Sequence, residues 1–287
     1  MKQILAIDAG GSSLKYGLYN EHGNELTTGG YKQIIRNDTT QVLNTFKEII
    51  ETHQNINGIA LSIPGIFEKD TDIIIEGGSI EALLELKDLR NMLEEQYKVP
   101  VSLENDANCA ALAEQWLGNG KGCDNFVCMT VGTGIGGGII INGKLYKGSH
   151  GRSGEFHWLL QSPNTSDLFG IVATESLASQ ANTATSLTIN NGIDFFNNID
   201  HPQIKPIYNT WIKNISWGIY NIAYIIDPDK LLIGGGISAQ QRIYQDITER
   251  IAHIAPHTYK WKVEPCFFNN NAGKIGAVYK LITTRFS

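Results

Sequence analysis

The sequence predicts an α/β chain built from two lobes of related topology. The first observation is a pattern that occurs twice. Residues 3–8 form an apolar run ending in an acid, then Gly10-Gly11, an alternating run over 14–19, and the turn Asn20-Glu21-His22-Gly23. Residues 126–131 form a second apolar run, followed by the glycine-rich 132–138, a strand at Ile139–Ile141, the hairpin signal Asn142-Gly143 and a resumed strand at Leu145-Tyr146. The second observation is that further apolar strands alternate with stretches of helical periodicity. The third is size: 287 residues with 42% hydrophobic and 18% charged content suffice for two packed lobes. The boundary is expected in the Gly-rich, polar stretch 118–125. That gives an N-terminal lobe over 1–118 and a C-terminal lobe over 119–272, with a closing helix in 273–287 that crosses back to the first lobe.

Each element has a local reason. Val42, Leu43, Phe46, Ile49 and Ile50 repeat with helical spacing. Residues 57–63 form a strand stopped by Pro64-Gly65, and Leu86, Leu89, Leu93 and Tyr97 mark a helix. A short strand over 100–103 leads to a helix over 107–117, ended by Gly118. Trp211, Ile215, Ile219, Ile222 and Ile226 share one face of a long helix. A strand over 230–233 meets Gly234-Gly235-Gly236, a helix carries Ile243, Ile247 and Ile251, and 263–268 is the last strand.

Composition excludes several classes. The net charge of −6, with no run of Lys or Arg, gives no counterion-displacing surface, so no nucleic-acid partner is expected. The most apolar long segment, 207–226, carries Asn209, Lys213, Asn214 and Asn221 and reads as a buried helix, so no membrane partner is expected. The N-terminus lacks the apolar stretch and cleavage site of a signal peptide, and a cytoplasmic location is expected. Cys109, Cys123, Cys128 and Cys266 lack metal-knuckle spacing and read as packing residues.

Four constellations carry candidate chemistry. In Asp8-Ala9-Gly10-Gly11-Ser12-Ser13-Leu14-Lys15, glycines let backbone N–H donors approach phosphate closely. Ser12 and Lys15 add donors, and Asp8 at the strand end suits a hydrated Mg²⁺ held through water. A plain hairpin fits this segment equally well, and the Walker spacing is absent. In Gly132-Thr133-Gly134-Ile135-Gly136-Gly137-Gly138, five glycines in seven residues sacrifice backbone stability, which favours a ligand. A dinucleotide fingerprint is excluded because a strand and hairpin follow, not a helix. Gly234-Gly235-Gly236 after a buried strand offers a flat surface for a nucleoside, where a simple turn needs one glycine. Finally, Glu104-Asn105-Asp106 precedes a helix. Capping explains one of the three polar residues, whereas phosphoryl transfer to an alcohol needs a carboxylate beside the hydroxyl, and Asp106 is the candidate general base.

Together these segments resemble the ROK family of bacterial sugar kinases and related repressors. The likeness runs from Asp8-Ala9-Gly10-Gly11 through Ser62-Ile63-Pro64-Gly65, Glu104-Asn105-Asp106-Ala107-Asn108 and the 132–138 glycines to Ile233-Gly234-Gly235-Gly236 and Gly273-Lys274-Ile275-Gly276-Ala277. It implies a two-lobed actin-like ATPase fold with ribonuclease H-like duplicated domains, and a cytoplasmic ATP- and Mg²⁺-dependent kinase. It implies Asp106 as general base, Asn105 as a sugar contact, Gly10, Gly11, Ser12, Gly132, Thr133 and Gly134 on phosphates, and Gly234, Gly235 and Gly236 on adenosine. Gly65, Gly77, Gly78 and Glu155 join Asn105 and Asp106 around a sugar expected between the lobes. A homodimer is expected by the same resemblance.

The family's Gly-Glu-x-Gly-His block reads here as Gly154-Glu155-Phe156-His157-Trp158. Glu155 matches. Depending on register, His157 or Trp158 takes the sugar-binding His position, and Trp158 either stacks on a sugar or packs in the core, with packing favoured. Residues 161–167 hold no cysteine where a zinc loop should lie, so no zinc site is expected. The expected reaction phosphorylates a sugar hydroxyl, at the 6-position of glucose, an N-acylhexosamine or a β-glucoside. The rivals are a sugar-responsive regulator of the same family, for which Asp8 arrives too early to leave room for a DNA-binding domain, and a non-catalytic sugar-binding protein.

Overall fold

A computed structural model of the chain describes residues 1–69, 71–160, 169–255 and 259–286. It divides into two compact units: unit 1 comprises 1–116, 147–153 and 270–287, and unit 2 comprises 117–146 and 154–269.

In unit 1, β1 (Ile4–Gly10) pairs antiparallel with β2 (Ser13–Tyr19), whose other edge carries β3 (Glu25–Thr27) and β4 (Tyr31–Gln33). Helix α1 (Thr39–Glu51) begins where the Asp38 carboxylate accepts from Gln41 N, and it buries Val42, Phe46, Ile49 and Ile50. Strand β5 (Gly58–Ile63) runs parallel to β1, and β6 (Ile66–Phe67) with β7 (Ile74–Glu76) forms a separate ribbon. Helix α2 (Leu89–Tyr97) precedes β8 (Val101–Asn105), parallel to β5, and α3 (Asp106–Leu117) follows at once. The helix expected from Leu86 starts only at Leu89, and Leu86 is buried from the turn before it.

Unit 2 repeats this plan. Strands β9 (Phe126–Val131), β10 (Ile135–Ile141) and β11 (Lys144–Leu145) form an antiparallel meander. After α4 (Thr174–Ala184), α5 (Gly192–Asn197) and α6 (Lys205–Ile226), β12 (Lys230–Gly234) pairs parallel with β9. Helix α7 (Gln241–Ala252) then leads to β13 (Lys262–Pro265), parallel to β12. The two sheets have the orders β3-β2-β1-β5-β8 and β11-β10-β9-β12-β13, the same arrangement of a meander followed by two parallel strands. The last helix, α8 (Ala272–Arg285), returns to pack on β5, β8 and β1 of unit 1.

Three local features differ from the expectation. The glycine run was expected as one turn, but β10 starts at Ile135, so Gly136–Gly138 lie within the strand and only 132–134 turn. Gly137 is in-strand because the Phe156 ring occupies the space of a Cβ. The last strand ends at Pro265, short of Phe268. Segment 147–153, expected in the second lobe, groups with unit 1 because side chains anchor it there, as described below. Helix α6 buries Trp211, Ile215, Ile219 and Ile222 on one face, with Ile226 only partly covered, and the Trp211 indole donates to Val172 O at 2.8 Å. Among the described residues no helix is long and apolar enough to cross a membrane.

Candidate active site

In unit 1 the odd-numbered face of the parallel strands carries the core: Leu5, Ile7, Ile59, Leu61, Ile63, Val101 and Leu103. The opposite face, which also carries Ile4, has small side chains at Ala6, Gly58, Ala60 and Ser102, which lets α8 approach closely. Across this face Lys15, Asp8, Ser62 and Glu104 occupy one row of the sheet, in register on β2, β1, β5 and β8. Ser62 Oγ donates to Asp8 Oδ1 at 2.6 Å. Gly273, in the first turn of α8, sits where a Cβ would collide with the Asp8 carboxylate and come within 2.8 Å of Ser62 Oγ. Burial raises the Asp8 pKa, opposed by the Ser62 hydrogen bond and by the charges of Lys15 and Lys274.

At the carboxyl end of β8, Asn105 is the cap of α3. Its Oδ1 accepts from Asn108 N at 3.0 Å, and its Nδ2 donates to Gly65 O at 3.0 Å. One amide hydrogen of Asn105 is left for a further acceptor. Asp106, relieved of capping, accepts from the adjacent Ala107 N at 2.8 Å and is exposed at the head of the helix. Its carboxyl is pushed up to about 6, first by desolvation from the protein packed around it and then by the negative charge of Asp8, with backbone hydrogen bonds opposing. Gly65 (φ 122°) and Gly78 (φ 57°) adopt left-handed backbone, and Gly65 crosses the Glu76 carbonyl too closely for any side chain. A Cβ on Gly77 would stand 2.6 Å from Ile80 O, so all three glycines are required by this loop crossing itself.

Glu104 has a different role from its neighbours. It is fully buried, and its carboxylate accepts from Lys147 at 2.8 Å, Lys280 at 3.1 Å, Asn108 Nδ2 at 3.1 Å and Asn105 N at 3.1 Å. Burial alone would raise its pKa, but Lys280, Lys147 and the hydrogen bonds from Lys147 and Asn108 outweigh it and hold the group below its usual range. The sequence grouped Glu104 with the catalytic block and gave no sign of Lys147 or Lys280, and it marked Ser62 only as part of the family likeness. Glu104 lies 43 positions from Lys147 and 176 from Lys280, beyond any local pattern.

In unit 2, Gly132 N donates to Gly134 O at 3.0 Å, and Gly132 O accepts from Thr174 N and Oγ1, both at 2.8 Å. Thr174, the first residue of α4, therefore holds the turn. Gly234 stands beside Thr130 in the sheet, and Gly235 (φ 82°) crosses Val131 O, so the 132–134 and 234–236 loops lie together at the carboxyl ends of β9 and β12. Ser238 Oγ fixes the second loop through Gly235 O at 2.8 Å and Asn269 Oδ1 at 3.0 Å. A Cβ on Gly132, Gly134 or Gly236 would meet nothing within 4 Å, and none of the three needs left-handed backbone. Gly10 and Gly11 in unit 1 have only ordinary contacts, at 3.7 and 3.4 Å. These five glycines are not required by the protein's own packing. In unit 2 the 132–134 and 234–236 loops leave bare backbone facing open space, which fits a polyphosphate and nucleoside, and in unit 1 Gly10 and Gly11 leave bare backbone at the end of β1.

Gly154 (φ 89°) crosses Gly137 O and starts a single 3-10 turn over Phe156–Trp158. The turn buries Phe156 against Gly137 and leaves Glu155 and His157 half-buried. The His157 ring lies over Gly170, edge-on to Trp158 at 5.2 Å between centroids. Trp158 was expected to pack in the core, but it is 63% exposed, because Phe156 fills the inward position of the turn. Residues 161–167, read as lacking the zinc loop, lie outside the described residues. No cluster of three or more His, Cys, Asp or Glu suited to a metal occurs among those described.

The duplicated meander-plus-parallel sheets, each with glycine loops at strand carboxyl ends, define an α/β protein of the actin-like ATPase fold. The ROK family profile matches residues 4–284. A β-glucoside kinase of Listeria innocua is 35% identical, over 98% of this chain and 97% of its own. A β-glucoside kinase of Klebsiella pneumoniae is 30% identical over 96% and 95%. Among solved structures, a ROK family protein from Streptococcus pneumoniae in complex with sucrose covers 98% of each chain at 25% identity, with a TM-score of 0.87. This chain belongs to the ROK family.

Proposed function

We propose that the chain is a sugar kinase that transfers the γ-phosphoryl group of ATP to a primary hydroxyl, with a β-glucoside as its first acceptor and Asp106 as general base. The observation that carries this reading is the division of labour at the head of α3. Asn105 satisfies the helix cap, so Asp106 is surplus to folding, yet it sits beside Asp8 with a pKa raised to about 6. A general base works best with a pKa near the operating pH. The preference for a β-glucoside rests on the nearly full-length likeness to β-glucoside kinases.

MgATP, when bound, supplies the phosphoryl group and neutralises its charge. The bare loops at Gly10-Gly11-Ser12 and Gly132-Thr133-Gly134 would hold its phosphates, and Gly234–Gly236 its nucleoside. Lys15 adds a cation, and Asp8 would hold Mg²⁺ through water. Asn105 offers its remaining amide hydrogen to a sugar hydroxyl, Glu155 and His157 offer acceptors, and Gly65, Gly77 and Gly78 shape the backbone beside Asn105. Asp106 takes the proton of the attacking hydroxyl as the new P–O bond forms. The reaction belongs in the cytoplasm, where ATP is supplied, and the acting species is a homodimer.

The test is a panel of cellobiose, gentiobiose, aryl β-glucosides, glucose and N-acetylmannosamine at fixed MgATP, scored by coupled ADP release and by the position phosphorylated. Sugar-dependent ADP formation is expected, highest with the β-glucosides, and lost in Asp106→Asn with nucleotide binding retained. Turnover surviving in that variant refutes Asp106 as base.

A further inference from the structure

Glu104 takes no part in the chemistry above, yet it is the most heavily bonded buried charge described in unit 1. Oε2 accepts from Lys147 and Lys280, and Oε1 from the Asn105 amide and from Asn108 Nδ2. One carboxylate thus joins three pieces of chain: the β8–α3 corner, helix α8 and the strap 147–153. Both lysines are mostly buried, at 16% and 17% exposure, and each lies 4.0 Å from Asp72. The strap is held at its other end as well. Arg152 bonds Glu76, and Gly151 (φ 70°) passes too close to Phe67 O for any side chain. It then runs directly into Gly154-Glu155.

Burying an ion cluster is a poor way to stabilise a sheet, because desolvation consumes most of the Coulombic gain and apolar packing does as well. What directional charged bonds do provide is a fixed geometry. We propose that Glu104 is a positioning residue for phosphoryl transfer: it sets the backbone of Asn105 and Asp106 and pins the strap 147–153 to the same carboxylate. This inference rests on the reading of Asp106 as base and Asn105 as sugar contact.

Two measurements on the full chain test it: steady-state kinetics with sugar and MgATP, and amide hydrogen exchange followed by mass spectrometry. Glu104→Gln keeps the shape but removes the charge that holds both lysines. Exchange is expected to quicken together in peptides covering 105–108 and 147–153, with β1 and β5 unchanged. The kcat should fall at least tenfold while KM for MgATP moves less than about twofold. Glu104→Asp, which keeps the charge, should recover part of kcat. Lys147→Met, a milder change at a residue nearer the surface, should loosen the same two segments if Glu104→Gln does not fold. Exchange that rises evenly through unit 1, or rises at one segment alone, overturns the linkage, and an unchanged kcat overturns the positioning role. Wild-type protein without sugar-dependent turnover would instead sink the kinase reading and with it the part in transfer, while the exchange pattern separately decides whether one carboxylate ties the two segments.

Discussion

The raised pKa of Asp106 makes a quantitative claim about the pH profile. With a carboxyl that titrates at about 6, against 3.8 for an unperturbed aspartate, nearly all of the group we propose as base is ionised at pH 7.5. At pH 5 only about a tenth remains, so kcat/KM for the sugar should fall roughly tenfold. An unperturbed aspartate would lose only a few per cent over the same interval. The nucleotide also titrates in acid, so a second perturbation is needed to assign the limb to the protein. Asp8→Asn removes the second cause of the shift and leaves the larger one, burial, in place. The acid limb should move to lower pH without reaching 3.8, even though overall turnover falls. The assay is kcat/KM for the sugar from pH 4.5 to 8.5 at saturating MgATP, in wild type and Asp8→Asn. A wild-type limb near pH 4, or one that stays put when Asp8 loses its charge, refutes the electrostatic reasoning.

Other expectations concern stability and assembly. Because folding raises the Asp106 pKa, its charge opposes the folded state at neutral pH; the penalty is absent below about 3.8 and complete above about 6. Asp106→Asn should therefore melt higher than wild type at pH 7.5, with the gain shrinking by pH 4.5, and a lower melting temperature at pH 7.5 contradicts the shift. Gly137→Ala drives a Cβ into Phe156 and should cost about 1–3 kcal/mol in a denaturant titration. Gly134→Ala meets no protein atom, so it should leave the melting temperature unchanged while raising KM for MgATP roughly tenfold; the reverse pattern would remove the 132–134 turn from the nucleotide site. The homodimer expectation has a testable surface in an apolar groove of about 840 Å³ on unit 2, lined by Trp217, Tyr220, Tyr224, Ile225 and Ile254. Ile225, 79% exposed, should disrupt a dimer when changed to Asp, and sedimentation of wild type as a monomer ends that expectation.

Periodicity and punctuation reveal the fold in the sequence because its determinants are local. The spacing of Ile243, Ile247 and Ile251 predicts a helix, and all three are buried on one face of α7. The repeated strand–turn–strand pattern predicts two related sheets, and their strand orders match. Glycine signals were less faithful, since a run of glycines reads as a turn whether the cause is a bend or a crowded strand. At Gly137 the cause is Phe156, nineteen residues away. The inward row Asp8–Ser62–Glu104 was visible only as three separate residues. Its coherence comes from strand register, which no single strand records. Trp158 was misjudged for a related reason, because a 3-10 turn selects Phe156 as the residue that faces in.

The glycines also show why composition alone is an incomplete guide to a site. Gly65, Gly78, Gly151, Gly154 and Gly235 hold left-handed backbone, and several cross a carbonyl at a distance no Cβ allows. Any functional reading of these must first subtract the demands of the fold. Gly132, Gly134 and Gly236 have no such demand, and Gly10 and Gly11 almost none. Where alanine could adopt the same backbone, glycine costs about 0.4–1 kcal/mol through the greater freedom of the unfolded chain. A cost with no return inside the protein points to something outside it. The bare loops lie at the carboxyl end of β1 in unit 1 and at the carboxyl ends of β9 and β12 in unit 2, where the parallel strands of such sheets present their binding edges. If alanine at Gly132, Gly134 and Gly236 together left nucleotide affinity intact, that subtraction would have lost its meaning, whatever the sugar proved to be.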